Sequence, residues 1–295
     1  MYYLYSFLAA IIISIMVVTN GSLADFYDSY IASIIIHGVG LIFITIVVMI
    51  KKEKIFSRNG VPLLFYCGGA IGVATTLFNN LSYGKISVTA IIAISLFAQT
   101  ATSLIIDQFG FFGMPVKKFN TVKVISLIFT MLGILYLLKG TQFHLGAIIL
   151  SILTGVAIIL SRFVNAMLAE RTSVIVSTWY NFIVGFIVTT CIWGVAYAIG
   201  ASGPITLVIS SKLWMYTGGL LGIMVVALSS ICAKKIPAFI LTLIMFVGQL
   251  FTGVVLDYVL LKTFSLPTLI GGSLTSIGLI ISVIPWKGKQ TTPMK

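Results

Sequence analysis

A chain of 295 residues that is 59% hydrophobic and only 8% charged, with a mean hydropathy of +1.17, has too little polar surface to face water. A soluble globular domain is therefore excluded. The formal net charge of +12 raises nucleic acid as a partner, but the 18 basic residues fall in short stretches between apolar runs, the pattern of membrane topology and not of a basic groove.

In chain order, MYYLYSFLAA lacks the basic start and small-residue cleavage site of a signal peptide and reads as a retained first span. A membrane-crossing helix takes about 20 apolar residues. Ten such runs are predicted: 2–20, 30–50, 61–81, 86–106, 121–138, 144–163, 174–198, 212–231, 237–257 and 267–285. Pro62, Pro237 and Pro267 start spans, where the missing N–H costs nothing, and Pro285 closes the last. Long continuous runs favour helices over the short alternating strands of a barrel. Cys67, Cys191 and Cys232 each lie alone inside an apolar run, without CxxC or paired spacing, and read as small core residues.

With the N-terminus placed in the cytoplasm, 14 of the 18 basic residues fall in inside loops, and only Lys85, Lys139, Lys212 and Lys262 fall outside. Both termini are therefore expected in the cytoplasm of a cell-membrane protein. The chain also repeats itself. Asn20–Gly40 aligns with Asn165–Gly185 at an offset of 145, with Asn20, Leu23, Ala24 and Val39-Gly40 matching Asn165, Leu168, Ala169 and Val184-Gly185. Gly68-Gly69-x-x-Gly72 aligns with Gly218-Gly219-x-x-Gly222 at an offset of 150, and Gln99 and Asp107 align with Gln249 and Asp257 at the same offset. Five spans per half is an odd number, so the second half must cross the membrane upside down relative to the first. That is the plan of a transporter with alternating access. The predicted architecture is all-α, with ten transmembrane helices in two inverted five-helix repeats, residues 1–140 and 141–295.

Gln99, Ser103 and Asp107 share one helix face at i, i+4 and i+8, as do Gln249, Gly253 and Asp257. The two glutamines lie near mid-membrane, where an amide must find a partner: a substrate, or another helix at about 0.6 kcal/mol. Asp107 and Asp257 end the fourth and ninth spans, where a carboxylate opposes the helix dipole and calls for a partner. They are read as a gate or as interfacial charges, with Lys117, Lys118 and Lys262 nearby. Asn20 and Asn165, closing the first and sixth spans, cap helices or line a vestibule. Asn79 and Asn80 end the third span, and Asn181 enters the seventh. Arg162, in the last turn of the sixth span, snorkels to headgroups or binds an anion. His37 and His144 read as interfacial groups near the external surface, and the glycine pairs Gly68/Gly72 and Gly218/Gly222 as close-packing faces. No phosphate loop, metal-ligand spacing or Ser–His–acid set is evident; no enzyme activity, cofactor or metal is expected.

The run Gln–x7–Asp–x–Phe-Gly–x–x–Gly–x–Pro, from Gln99 to Pro115, resembles the signature of the YdcZ-like branch of the drug/metabolite transporter superfamily. The likeness is looser over Gln249–Pro267, where the Phe-Gly turn is absent. The resemblance implies five plus five helices, with spans 1–4 and 6–9 around the cavity and 5 and 10 peripheral. The reading is a secondary transporter, an exporter by resemblance, of a small neutral, zwitterionic or amphipathic metabolite. Gln99, Gln249, Ser103, Asn181 and Asn80 are its expected contacts, Asp107 and Asp257 its expected gates, and Asn20, Asn165 and Arg162 further cavity residues. A lipid-carrier translocase and a non-transporting membrane partner are the alternatives. The partners expected are the bilayer and a small molecule, and a homodimer is compatible with the sequence.

Overall fold

The computed structural model describes residues 1–55, 60–118, 120–137, 144–205, 208–261, 270–271, 273–274 and 276–278. Among them the chain is helical throughout: α1 (Tyr2–Phe26), α2 (Ser29–Lys51), α3 (Gly68–Ser82), α4 (Val88–Phe109), α5 (Thr121–Leu137), α6 (Leu145–Arg171), α7 (Val174–Ala198), α8 (Gly218–Ala233) and α9 (Ala238–Leu261). Seven helical stretches are long and apolar enough to cross a membrane: α1, α2, α4, α6, α7, α8 with its leading turn, and α9. The expected tenth span lies largely outside the described residues, as do Arg58, Lys139, Lys262, Pro267, Pro285 and the side chain of Asp257. Residues 276–278 are helical, and Gly278 sits against Ser126 and Phe129 of α5.

The third span differs from expectation. It starts as a 3-10 turn, Leu63–Cys67, which passes into the 15-residue α3; Leu213–Thr217 passes into α8 in the same way. A 3-10 turn rises about 2.0 Å per residue, which lengthens a short helix without adding residues. Helix starts are fixed by side chains that take up orphan N–H groups. Asp28 accepts from the amides of Tyr30 and Ile31, Ser87 from Ala90 and Ser173 from Val176. His144, expected as an interfacial group, is exposed and caps α6 by accepting from the Ala147 amide at 3.2 Å.

The helices of one half pack chiefly on those of the other. α3 lies on α6 and α7 as α8 lies on α1 and α2; α4 packs on α6 as α9 packs on α1; and α2–α7 and α4–α9 pair equivalent helices. The glycines show the correspondence residue by residue. Gly68 leaves room for the side chain of Asn165, and Gly218 for that of Asn20. Gly69 abuts the backbone of Asn181 and Gly185, and Gly219 that of Ile36 and Gly40. Gly185 receives the His37 ring, and Gly40 the Phe182 ring. Each contact maps onto its twin by the offsets of 145 and 150 read in the sequence.

The Phe-Gly-x-x-Gly-x-Pro stretch after α4 is a fixed turn. Gly110 (φ +65) and Gly113 (φ +71) take the left-handed conformation that side chains disfavour, ending the helix and reversing the chain. Phe112 stacks on Phe163 of α6, with centroids 5.5 Å apart and planes 11° apart. Lys234 then donates to the Phe112 carbonyl at 2.8 Å and pairs with Glu170 at 3.2 Å.

Candidate functional site

Where α1, α2, α3, α6, α7 and α8 meet there is a cavity of about 130 Å3, well above the roughly 10–15 Å3 that one water needs. Its lining is built largely from matched positions of the two halves: Ile13 with Ile158, Met16 with Ser161, Asn20 with Asn165, Ile36 with Asn181, and His37 with Phe182 at the offset of 145. Gly72 with Gly222, Thr75 with Val225, Thr76 with Val226 and Asn79 with Ser229 follow at 150. The cavity therefore lies between the two halves, at equivalent positions of each.

The two walls have diverged. Along α3, α6 and α7 the lining is mostly polar: Thr75, Thr76, Asn79, Ser161, Arg162, Asn165 and Asn181, interrupted by Ile158 and Phe182. Along α1, α2 and α8 the matched positions carry Ile13, Met16, Ile36, Val225 and Val226, relieved by Asn20, His37, Ser229 and Ser230. On the polar wall the Asn165 amide donates to Asn181 Oδ1 at 2.9 Å and to Ser161 Oγ at 3.2 Å. Ser161 in turn donates to the Gly68 carbonyl at 2.8 Å, tying α6 to α3. Opposite, the His37 ring lies against Phe182, centroids 6.0 Å apart, with Nδ1 2.8 Å from the Ser33 carbonyl. Because a carbonyl only accepts, Nδ1 carries the proton of that bond.

Arg162 is 4% exposed. It was expected at a membrane interface because a charge was taken to end the sixth span. The helix in fact continues nine residues further, to Arg171, so Arg162 lies inside the protein. One Nη donates to Gln99 Oε1 at 3.4 Å, while Nε and the other Nη have no acceptor in the protein. Asn20 and Asn165 likewise lie six residues inside α1 and α6. They cap nothing and face the cavity. His37, expected near the surface, is 4% exposed and lines it too.

The family model for "Putative inner membrane exporter, YdcZ" matches this chain twice, over residues 1–136 and again over 146–281. The chain belongs to the YdcZ family. It is thus a membrane protein of an inner-membrane exporter family, and each half carries the family pattern. A crystal structure of another protein shares the fold, with a TM-score of 0.66 at 15% identity over 96% of each chain. A comparison with curated proteins found none that matches.

The YdcZ signature residues stand beside the cavity and not in its lining. Gln99 is fully buried, holding Arg162 through Oε1, with Nε2 unpaired. Gln249 is 2% exposed; its carbonyl accepts from Ser14 at 2.9 Å, and its Nε2 is unpaired. Ser103 shares a 2.7 Å hydrogen bond with Thr242, joining α4 to α9. Asn80 ties α3 to α2 by donating to Ser33 Oγ at 3.3 Å, and its neighbour Asn79 faces the cavity instead. Asp107, 1% exposed, accepts from the amides of Ala238 and Phe239 at 3.2 and 3.1 Å. The partner it called for is therefore the N-terminus of α9, where orphan N–H groups and the dipole favour an anion. Lys117 meets Asp107 through backbone, its amide donating to the Asp107 carbonyl at 2.7 Å, and the charges of Lys123 and Lys117 add to the field on the carboxylate. Among the described residues, no group of three or more His, Cys, Asp and Glu could hold a metal.

Thr75, Thr76, Ser161, Ser229 and Ser230 were not singled out in the sequence, since hydroxyls are common in apolar helices. The signal that finds them is the offset. Ser161 lies one turn before Asn165, and Thr75 and Thr76 one turn after Gly72, next to landmarks that the repeat already marks.

Proposed function

We propose that this protein is a secondary transporter working by alternating access, with two inverted five-helix repeats, residues 1–140 and 141–295, closing around one substrate cavity. The observation that carries this reading is the cavity lining itself, drawn in matched pairs from both halves. A site so placed can open to either side by equivalent rocking of the halves. The antiparallel course of paired helices supports the inversion: Thr45 meets Trp179 while His37 meets Gly185 across α2 and α7, and the end of α4 meets the start of α9 at Asp107. Ten spans, with α5 and the tenth peripheral, both termini cytoplasmic and no enzymatic role, complete the proposal. The substrate is a small, partly apolar metabolite, in keeping with a cavity that has one polar and one apolar wall. Asp107 and Asp257 are the proposed gates.

The test places cysteines at Thr75 and Val225, a matched pair in the lining, in protein with Cys67, Cys191 and Cys232 replaced by alanine. A membrane-impermeant maleimide should reach both positions from either side of a sealed vesicle, with access shifting when substrate is present on one side. In parallel, counterflow with a metabolite panel should give uptake that needs no ATP. Labelling from one side only under every condition, together with no flux, sinks the proposal.

A further inference from the structure

Arg162 is the one charged side chain among the described residues that line the cavity. Burying a guanidinium is costly unless an anion meets it, and of its five N–H donors the protein uses one, in a long 3.4 Å bond to Gln99. Nε and Nη1 are buried and unpaired. Among the described residues no acid neutralises it: their carboxylates are committed elsewhere or sit apart. Asp107 caps α9, Asp28 caps α2 and accepts from Ser202, Glu170 pairs with Lys234, and neither Asp25 nor Glu53 lines the cavity. The charge also breaks the repeat. The position matched to Arg162 is Val17, so duplication did not require an arginine here.

We infer that the cavity takes a small organic monoanion, with its carboxylate on Arg162. A carboxylate presents two oxygens to the planar guanidinium fork, a geometry that an ammonium group cannot match. Asn165, one turn along α6, flanks that end, and the body of the ligand lies against Ile13, Met16, Ile36 and Val225 on the opposite wall. The cavity expected from sequence to suit a neutral, zwitterionic or amphipathic cargo is thus assigned a negative one. The inference rests on the cavity being the transport site, but its test needs no transport.

Binding is measured on the purified full chain in detergent, by calorimetry and by the shift in unfolding midpoint. The probes are propionate, butyrate, hexanoate, octanoate and phenylacetate, each against its own amide. The expected result is that at least one carboxylate binds about tenfold or more tighter than its amide, the discrimination given by hydrogen bonds to a charged group. That preference should vanish in Arg162→Gln and shrink in Arg162→Lys, which keeps the charge but loses the fork. On unmodified protein, the same carboxylate and not its amide should slow phenylglyoxal modification of Arg162, so the question is answered even if Arg162→Gln fails to fold. Carboxylates no better than amides across the panel, or a preference that survives in Arg162→Gln, overturns the inference. Carboxylate binding without flux in vesicles would remove the transport reading and leave this one; flux of an uncharged compound that persists in Arg162→Gln would do the reverse.

Discussion

Gly219→Ala should cost on the order of 3 kcal/mol, the upper part of the range for overpacking, and leave little folded protein at temperatures the unmodified protein survives. A Cβ at 219 would stand 2.6 Å from the backbone nitrogen of Gly40 and against the Ile36 carbonyl. Both obstacles are main chain, so no rotamer change relieves them and α8 must move off α2. Gly69→Ala should behave alike, because its Cβ would meet the backbone of Asn181 and Gly185. The control is Gly194→Ala, one turn from the C-terminal end of α7 with nothing within 4 Å of the added methyl. Alanine there should stabilise by about 0.8–1.0 kcal/mol through helix propensity. Thermal unfolding in detergent, read by loss of monodisperse protein, compares the three; equal midpoints for Gly219→Ala and Gly194→Ala would remove the close-packing account.

Asp107→Ala is expected to cost on the order of 3 kcal/mol as well, by a different route. It strips the acceptor from two amides, Ala238 and Phe239, and each buried unpaired donor costs roughly 1–3 kcal/mol. Asp107→Asn keeps one oxygen as acceptor but turns an NH2 donor toward the other amide, so it should cost less than alanine, on the order of 1–2 kcal/mol. Under the gate proposal, that conservative variant carries the functional information: in vesicles, at a temperature where it stays folded, its transport per folded molecule should slow. Unchanged flux in Asp107→Asn would retire the gate role and leave a cap; an unmoved midpoint in Asp107→Ala would retire the cap.

Much of the architecture was legible because membrane helices write themselves as long apolar runs, and because the offsets of 145 and 150 tie the halves together. Those offsets came from a few landmarks such as Asn20/Asn165 and Gly68/Gly218, and the packing respects them at residue level. The ends of helices were less legible. The sequence ends the first and sixth spans at residues 20 and 163, close to Asn20, Arg162 and Asn165, because polarity is taken to mark the water boundary, yet both helices continue through those positions and turn the polar groups inward. His37 was set at the surface for the same reason and is buried against Gly185. Spacing did bring Gln99, Ser103 and Asp107 onto one helix face. It could not tell that the face meets Arg162, Thr242 and the start of α9 in place of the cavity, since facing partners belong to segments more than sixty residues away.

The way α3 lies across α6 and α7 bears on how the protein is made. Gly68, Gly69 and Gly72 offer bare backbone to neighbours that begin more than seventy residues later in the chain. While the ribosome works through α4 and α5, that surface has only lipid or the insertion machinery to cover it. Neither half, expressed by itself, has its intended neighbours, so a separated first half should be degraded unless the second is synthesised alongside it.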